Sequence, residues 1–285
     1  MLAQTKAQRH STALSKLTRL ITGLILVTLI GCATSPTGRT QFILISPDAA
    51  IIESETAYLD TVRQLEDDDK LVNDPLSVAR VARITGRLVS IAIADYPESA
   101  NWKWSVAIVD DAETVNAWCM AGGRMAVYTG LFDQLELTDD EFAQIMGHEI
   151  SHALGNHTAE RMSRAMVTAA GVAVVGAASD NSSAAMAGAA LIANVALTLP
   201  NSRDAENEAD IMGMVLATKA GYDPEAAVTL WQKMGDLSDD RPAEFLSTHP
   251  APENRQAALN AMIPHMLKIN PSRDKAPIHP VTIVR

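Results

Sequence analysis

Residues His148-Glu149-Ile150-Ser151-His152 spell H-E-x-x-H. On a helix the two histidines lie one turn apart on one face, so both imidazoles reach a single metal ion. Glu149, beside them, is placed to act on a water held by that ion rather than to ligate it. The chemistry such a set performs is metal-assisted hydrolysis. A catalytic zinc usually takes three protein ligands and leaves the fourth position open, so a third ligand is to be sought elsewhere in the chain.

The surrounding residues predict the helix that this spacing requires. Thr138-Asp139-Asp140-Glu141 reads as a capping box with Thr138 at the N-cap. Helical spacing runs from Phe142 to Leu154, and Gly155-Asn156 is a stop signal. The pentapeptide alone also fits two surface histidines on an amphipathic helix. The capping box, the apolar approach through Ile145 and Met146, and an acidic motif downstream favour the metal site.

That motif is Ser202-Arg203-Asp204-Ala205-Glu206-Asn207-Glu208-Ala209-Asp210. Glu206 and Asp210 are four apart and share a helical face, while Glu208 points elsewhere. Glu206 can give a carboxylate oxygen to zinc while Asp210 accepts the free N–H of a ligating histidine, which fixes its tautomer. Taken alone, the stretch also fits a solvated acidic helix start. His157 misses the third histidine of H-E-x-x-H-x-x-G-x-x-H, which falls on Thr158, and is read as a helix-end residue or a support for a ligand.

Ser46-Pro47-Asp48 starts a helix that reaches about Leu65, before the acidic run Glu66–Asp69, read as a solvated face. A second amphipathic helix is expected from about Asp74 to Tyr96, with Val78, Val81, Ile84, Leu88 and Ile91 on one face. Trp102–Asp110 and Arg124–Thr129 read as strands, the latter after the turn pair Gly122-Gly123. Helices, then strands, then the metal helix make an α+β arrangement, mostly helical with a small sheet. The Ala/Gly/Val-rich stretch 165–199 fits a helical hairpin flanking the site better than two short membrane-embedded segments.

Residues 1–31 read as an address. Lys6, Arg9, Lys16 and Arg19 precede an apolar Leu20–Ile30, and Leu29-Ile30-Gly31-Cys32 resembles the bacterial lipobox. An uncleaved anchor is the competing reading. The resemblance implies lipidation at Cys32 and, with Ala33 following, the outer membrane, lipid-anchored and facing the periplasm of a Gram-negative bacterium. The leader holds four of the 23 basic residues and none of the 34 acidic ones. The remainder is strongly acidic, which argues against nucleic acid as partner. With Cys32 acylated, Cys119 has no second cysteine to pair with. The expected organisation is leader 1–31, polar tether 32–45, catalytic domain 46–268 and extended tail 269–285.

The chain resembles the zinc metallopeptidase family of the CAAX prenyl endopeptidase and the heat-shock membrane protease, which also includes bacterial periplasmic lipoprotein peptidases. The matching pieces are Asn116-Ala117 with Gly122-Gly123 and Tyr128-Thr129-Gly130, then Gly147–Ala153. Ser202-Arg203 with Glu206, Ala209 and Asp210 follow, then Ser247-Thr248-His249-Pro250 with Arg255. The resemblance implies a gluzincin-like fold and one zinc per chain, held by His148, His152 and Glu206, with Glu149 as base. It also implies an edge strand at 124–129 (Arg124, Met125, Ala126, Val127, Tyr128, with Asn116 nearby), along which an extended substrate adds as a further strand. His249 is the candidate for hydrogen bonding the oxyanion, unless it is a packed loop residue or closes the zinc in a latent state.

Trp118-Cys119-Met120-Ala121 departs from the family's smaller or prolyl residues, and neither long transmembrane helices nor tetratricopeptide repeats are seen. The function expected is a zinc metalloendopeptidase of the bacterial envelope that degrades misfolded or unassembled proteins. The alternatives are a zinc-bound chaperone or assembly factor for outer-membrane proteins and a hydrolase of small molecules or cell-wall peptides.

Overall fold

Four of the described helices begin where a side chain satisfies one of the first free N–H groups. The computed structural model describes residues 32–178, 200–238, 244–250 and 254–285. Residues 1–31, read above as an address, residues 179–199 of the Ala/Gly-rich stretch, and the segments 239–243 and 251–253 lie outside the described residues. Helix α1 (Pro47–Asp67) has Ser46 accepting the Ala49 N–H, with proline in its first turn. Helix α2 (Pro75–Asp95) uses Asp74 and Pro75 in the same way. Both match the helices expected from the sequence to within a few residues.

Described residues 32–44 belong to a unit of their own. There the expected tether is a small antiparallel hairpin, β1 (Cys32–Thr34) with β2 (Thr40–Phe42). Its turn is closed by Ser35 N–H to Arg39 C=O at 2.8 Å and Gly38 N–H to Ser35 C=O at 2.9 Å.

In the second unit, a 3-10 turn (Pro97–Asn101) leads into β3 (Ser105–Val109), β4 (Ala117–Met120) and β5 (Arg124–Tyr128). The sheet order is β4-β5-β3-β6, where β6 is Thr282–Val284. Strand β3 is parallel to β5 and β6, and β4 is antiparallel to β5. The C-terminal tail is extended, as its prolines suggest, but its end joins the sheet. On the way His279 donates its N–H to Gly86 C=O at 3.0 Å.

This order corrects the sequence reading of the edge strand. Strand β5 is hydrogen bonded on both sides, and Met125, Ala126 and Val127 are fully buried. Its backbone has no free edge for another chain. The edge on this side of the sheet is β4, with β6 at the other; β4 is held against β5 through the turn at Gly122 and Gly123, whose φ values of +83° and +77° favour glycine.

Helix α3 (Gly130–Leu135) leads into α4 (Asp139–Leu154), which carries the H-E-x-x-H, and α5 (His157–Ala178) follows at once. Next come α6 (Arg203–Lys219), α7 (Ala226–Ser238), the short α8 (Glu244–Thr248) and α9 (Arg255–Ile269). Residues 157–178 form one continuous helix, so the described half of the Ala/Gly-rich stretch is the end of α5, and the rest of the expected hairpin lies outside the described residues. Among the described residues no helix is long and apolar enough to cross a membrane.

Helix α4 is buried almost along its length, with Phe142, Met146 and Ile150 at zero exposure. It lies between the sheet's β4 edge and α6. The α4–α6 crossing is close because two glycines meet. A Cβ on Gly213 would lie 2.6 Å from the His148 backbone nitrogen, and one on Gly147 would lie 2.8 Å from Gly213 C=O. These glycines let the carboxylates of α6 reach the histidines of α4.

Candidate metal centre

The capping box at the start of α4 is complete. Thr138 Oγ1 accepts the Glu141 N–H at 3.2 Å, and Glu141 Oε2 accepts the Thr138 N–H at 2.9 Å. Glu141 also accepts from Lys233 Nζ at 2.8 Å and Thr229 Oγ1 at 2.9 Å, tying the helix start to α7. Helix α6 is capped by Ser202, which accepts the Ala205 N–H at 3.2 Å. Two well-anchored helices thus present the two halves of the site to each other.

His148 and His152 bring their Nε2 atoms to 3.0 Å. Glu206, fully buried, places Oε2 3.4 Å from His148 Nε2 and Oε1 3.3 Å from His152 Nε2. Zinc–ligand bonds of about 2.0–2.2 Å correspond to tetrahedral donor–donor separations of about 3.3–3.6 Å. The three donors therefore lie near the spacing zinc needs, slightly contracted. Ligand atoms of His148, Glu149, His152 and His249 also lie within 4.8 Å of one another. Of these, Glu149 has an Oε1 that is buried without a hydrogen-bond partner, the state expected of a base aimed at a reacting water rather than of a structural carboxylate.

The electrostatics fit a divalent cation. Burial acts to raise the Glu206 carboxyl, but the neighbouring His152 and His249 and its bonds to His148 and His152 hold it far below the usual carboxylate range. Burial acts to lower His148, yet Asp210 and Glu206 push it up to about 10. The centre thus gathers carboxylate charge that a bound divalent metal would balance. Burial raises the Glu149 carboxyl above its ordinary value, against the pull of His249 and His148. That makes it a stronger base.

Asp210 accepts from His148 Nδ1 at 3.0 Å, which leaves the Nε2 lone pair for a metal. Arg255 completes this side: its Nε donates to Asp210 Oδ2 and its Nη2 to Glu206 Oε2, each at 2.7 Å. The sequence shows Arg255 as a matching family position but not as the clamp on both carboxylates. That role rests on contacts between residues some 45 to 49 positions apart.

His249 follows α8, whose Phe245 donates its N–H to Val115 C=O at 3.1 Å and stacks on the His249 ring at 4.3 Å. His249 Nδ1 lies 3.1 Å from Glu206 Oε1 and 3.3 Å from His148 Nε2, so it faces the same centre as the three candidate ligands. Its Nε2 lies 3.5 Å from Glu149 Oε1.

A small cavity of about 40 Å³ opens beside these groups, lined by Asn116, Trp118, Glu149, Arg161, Asn201 and His249 among others. Asn116 sits just ahead of β4, with its Oδ1 buried and unpaired. Arg124, by contrast, is engaged with Glu55 at 2.7 Å and Ser105 at 3.0 Å. A larger cleft of about 490 Å³, lined by Ile51, Trp102, Gly122 and Arg124, lies past the end of β4 and includes none of the candidate ligands. Cys32 lies in the separate N-terminal unit and is exposed.

The family model described as Peptidase family M48 matches residues 75–263. Mitochondrial metalloendopeptidase OMA1 of Saccharomyces cerevisiae is 26% identical over 248 residues, which are 83% of this chain and 70% of that protein. The Arabidopsis thaliana protein of the same name is 35% identical over 160 residues, 55% of this chain and 31% of its own length. The Beta-barrel assembly-enhancing protease of Escherichia coli is 30% identical over 205 residues, 69% of this chain and 41% of that protein. The match spans well under half of the last two relatives.

Proposed function

The chain belongs to Peptidase family M48, and from that premise we propose that it is a zinc metalloendopeptidase of the bacterial envelope acting on misfolded or unassembled proteins. The observation that carries this reading is the buried Oε1 of Glu149, which no hydrogen bond engages, beside the donors of His148, His152 and Glu206. One zinc per chain would be held by those three residues. When bound, zinc supplies a Lewis acid for the scissile carbonyl and lowers the pKa of a coordinated water to about 7.

Glu149 then takes the attacking water's proton at Oε1 and returns it to the leaving amine nitrogen, a contribution of roughly 10²–10⁴ in rate. Asp210 and Arg255 hold His148 and Glu206 in orientation. In the observed arrangement His249 faces the ligand centre, which we read as the latent form. His249 would be the donor to the oxyanion in the substrate-bound form.

The substrate strand belongs on β4. In its antiparallel ladder with β5, Trp118 and Met120 stand opposite Ala126 and Arg124, and Tyr128 N–H donates to Asn116 C=O at 3.1 Å. By alternation, the N–H and C=O of Ala117 and Cys119 face away from β5. An extended polypeptide adding there would pass the cavity that Glu149 and His249 line. Envelope substrates and the outer-membrane location rest on the lipobox-like Leu29–Cys32 with acylation of Cys32, and on the relative named for β-barrel assembly.

The test compares envelope proteins by mass spectrometry in cells carrying the active protein and the Glu149→Gln variant. Proteins that accumulate intact only with the variant are the expected outcome. Identical profiles would remove the quality-control role. In parallel, Cys32→Ser should stay unprocessed and take up no radiolabelled palmitate, while an unmodified N-terminus on the mature wild type would refute the anchor.

A further inference from the structure

The tight link between α4 and α5 folds a third histidine back onto the metal helix. Asn156 sits at φ +57°, a left-handed conformation that asparagine tolerates, and reverses the chain immediately after Gly155. His157, the first residue of α5, is thereby brought to His152, Nδ1 to Nδ1 at 2.7 Å. Its other nitrogen, Nε2, lies 3.1 Å from Glu208 Oε2. All three side chains are buried, at 3%, 1% and 3% exposure for His152, His157 and Glu208. Gly155 leaves the room, since a Cβ there would sit 2.7 Å from His157 Nε2.

Hydrogen placement along this chain follows from which atoms can donate. If His152 offers the Nε2 lone pair to a metal, its proton is on Nδ1 and must be donated. His157 Nδ1 is the atom that faces it, so that nitrogen accepts and the His157 proton sits on Nε2. That proton in turn has the Glu208 carboxylate as acceptor. Each link admits one direction only, and the carboxylate at the end fixes the direction.

The geometry points to Glu208–His157 as a positioning relay for the ligand His152, the counterpart of Asp210 behind His148. This inference rests on the zinc site read above. It gives each α4 histidine its own carboxylate from α6: Asp210 directly and Glu208 through an intervening imidazole. The three acidic residues Glu206, Glu208 and Asp210 divide into one ligand and two supports. His157 touches no substrate in this scheme. It acts through His152, by fixing its tautomer and ring plane.

The test measures zinc affinity by chelator competition on the full chain, with circular dichroism to establish folding. His157→Leu keeps bulk but has no acceptor, and should weaken zinc affinity by about 10–100-fold, as loss of such supports does. His157→Asn, whose Oδ1 can stand in for Nδ1, should recover most of that loss. Glu208→Gln, which keeps the volume and an acceptor oxygen but not the charge, should fall between wild type and His157→Leu. On cobalt-substituted protein, the visible spectrum should shift in His157→Leu and return in His157→Asn.

Wild-type affinity in a folded His157→Leu, or in Glu208→Gln should His157→Leu not fold, would overturn the relay while leaving the metal site intact. An equal loss in His157→Leu and His157→Asn would likewise overturn it, by making the effect one of packing. The underlying reading fails separately, if the wild-type chain takes up no zinc or if His152→Ala still binds it.

Discussion

The guanidinium of Arg255 lies 3.9 Å from the centre of the Trp231 ring. Placed over that ring, it spends two different nitrogens on Glu206 and Asp210, so a single planar fork sets the spacing of a proposed ligand and of its neighbouring support. A lysine carries the same charge but only as a point, without the stack. Arg255→Lys should therefore lower zinc affinity about 10–100-fold, read by chelator competition. Unchanged affinity would mean that the charge alone suffices.

Asp210 touches His148 but neither His152 nor the cavity beside Glu149 in any contact seen here. Asp210→Asn should weaken zinc binding by about 10–100-fold without abolishing it. Glu206→Gln should be markedly worse, because it removes the charge of the ligand itself. Equal losses of zinc in the two variants would require the ligand set to be redrawn.

Packing between α4 and α6 positions the whole centre. Gly213→Ala drives a methyl group to within 2.6 Å of the His148 backbone nitrogen, so it should destabilise the fold by about 1–3 kcal/mol and loosen zinc binding together. Gly235→Ala is the matched control, since nothing lies within 4 Å of its Cβ. It should be neutral or stabilising by roughly 0.5–1 kcal/mol, as expected in a helix interior. Denaturant unfolding of both variants, with and without zinc, checks the pair.

Acid stability follows from Glu141. Burial acts to raise its carboxyl, but Lys233 and the Thr138 and Thr229 bonds hold it below the ordinary value. A carboxyl depressed on folding binds fewer protons in the folded state, so its contribution is present above the unfolded value, about 4.3, and is lost as pH falls through the folded one. Glu141→Gln should thus be less stable than wild type at pH 7, with the difference shrinking below about pH 4. A difference independent of pH would remove the ionised carboxylate from the account.

Much of this was legible locally. Caps at Ser46, Asp74, Thr138 and Ser202 mark helix starts because the signal lies within four residues. The H-E-x-x-H and Glu206/Asp210 spacing place ligand and support on helical faces for the same reason. Sheet order was not legible. Arg124–Tyr128 reads as a strand, but its burial between β3 and β4 depends on pairing with residues 105–109 and 117–120. Strand β6 at the far C-terminus and the Arg255 clamp are equally non-local. Glu208 lies off the helical face shared by Glu206 and Asp210, and what it meets there is His157, which only the tertiary fold brings near.

The most direct measurement of the central claim is made on Glu149→Gln, assayed for bound zinc and for hydrolysis of an unfolded polypeptide in the same preparation. Glutamine keeps the shape and hydrogen-bonding reach of Glu149 but cannot accept the water's proton. The account predicts zinc content equal to wild type and turnover reduced by at least about a hundredfold. Wild-type turnover in the zinc-loaded variant would contradict it and remove Glu149 from the mechanism.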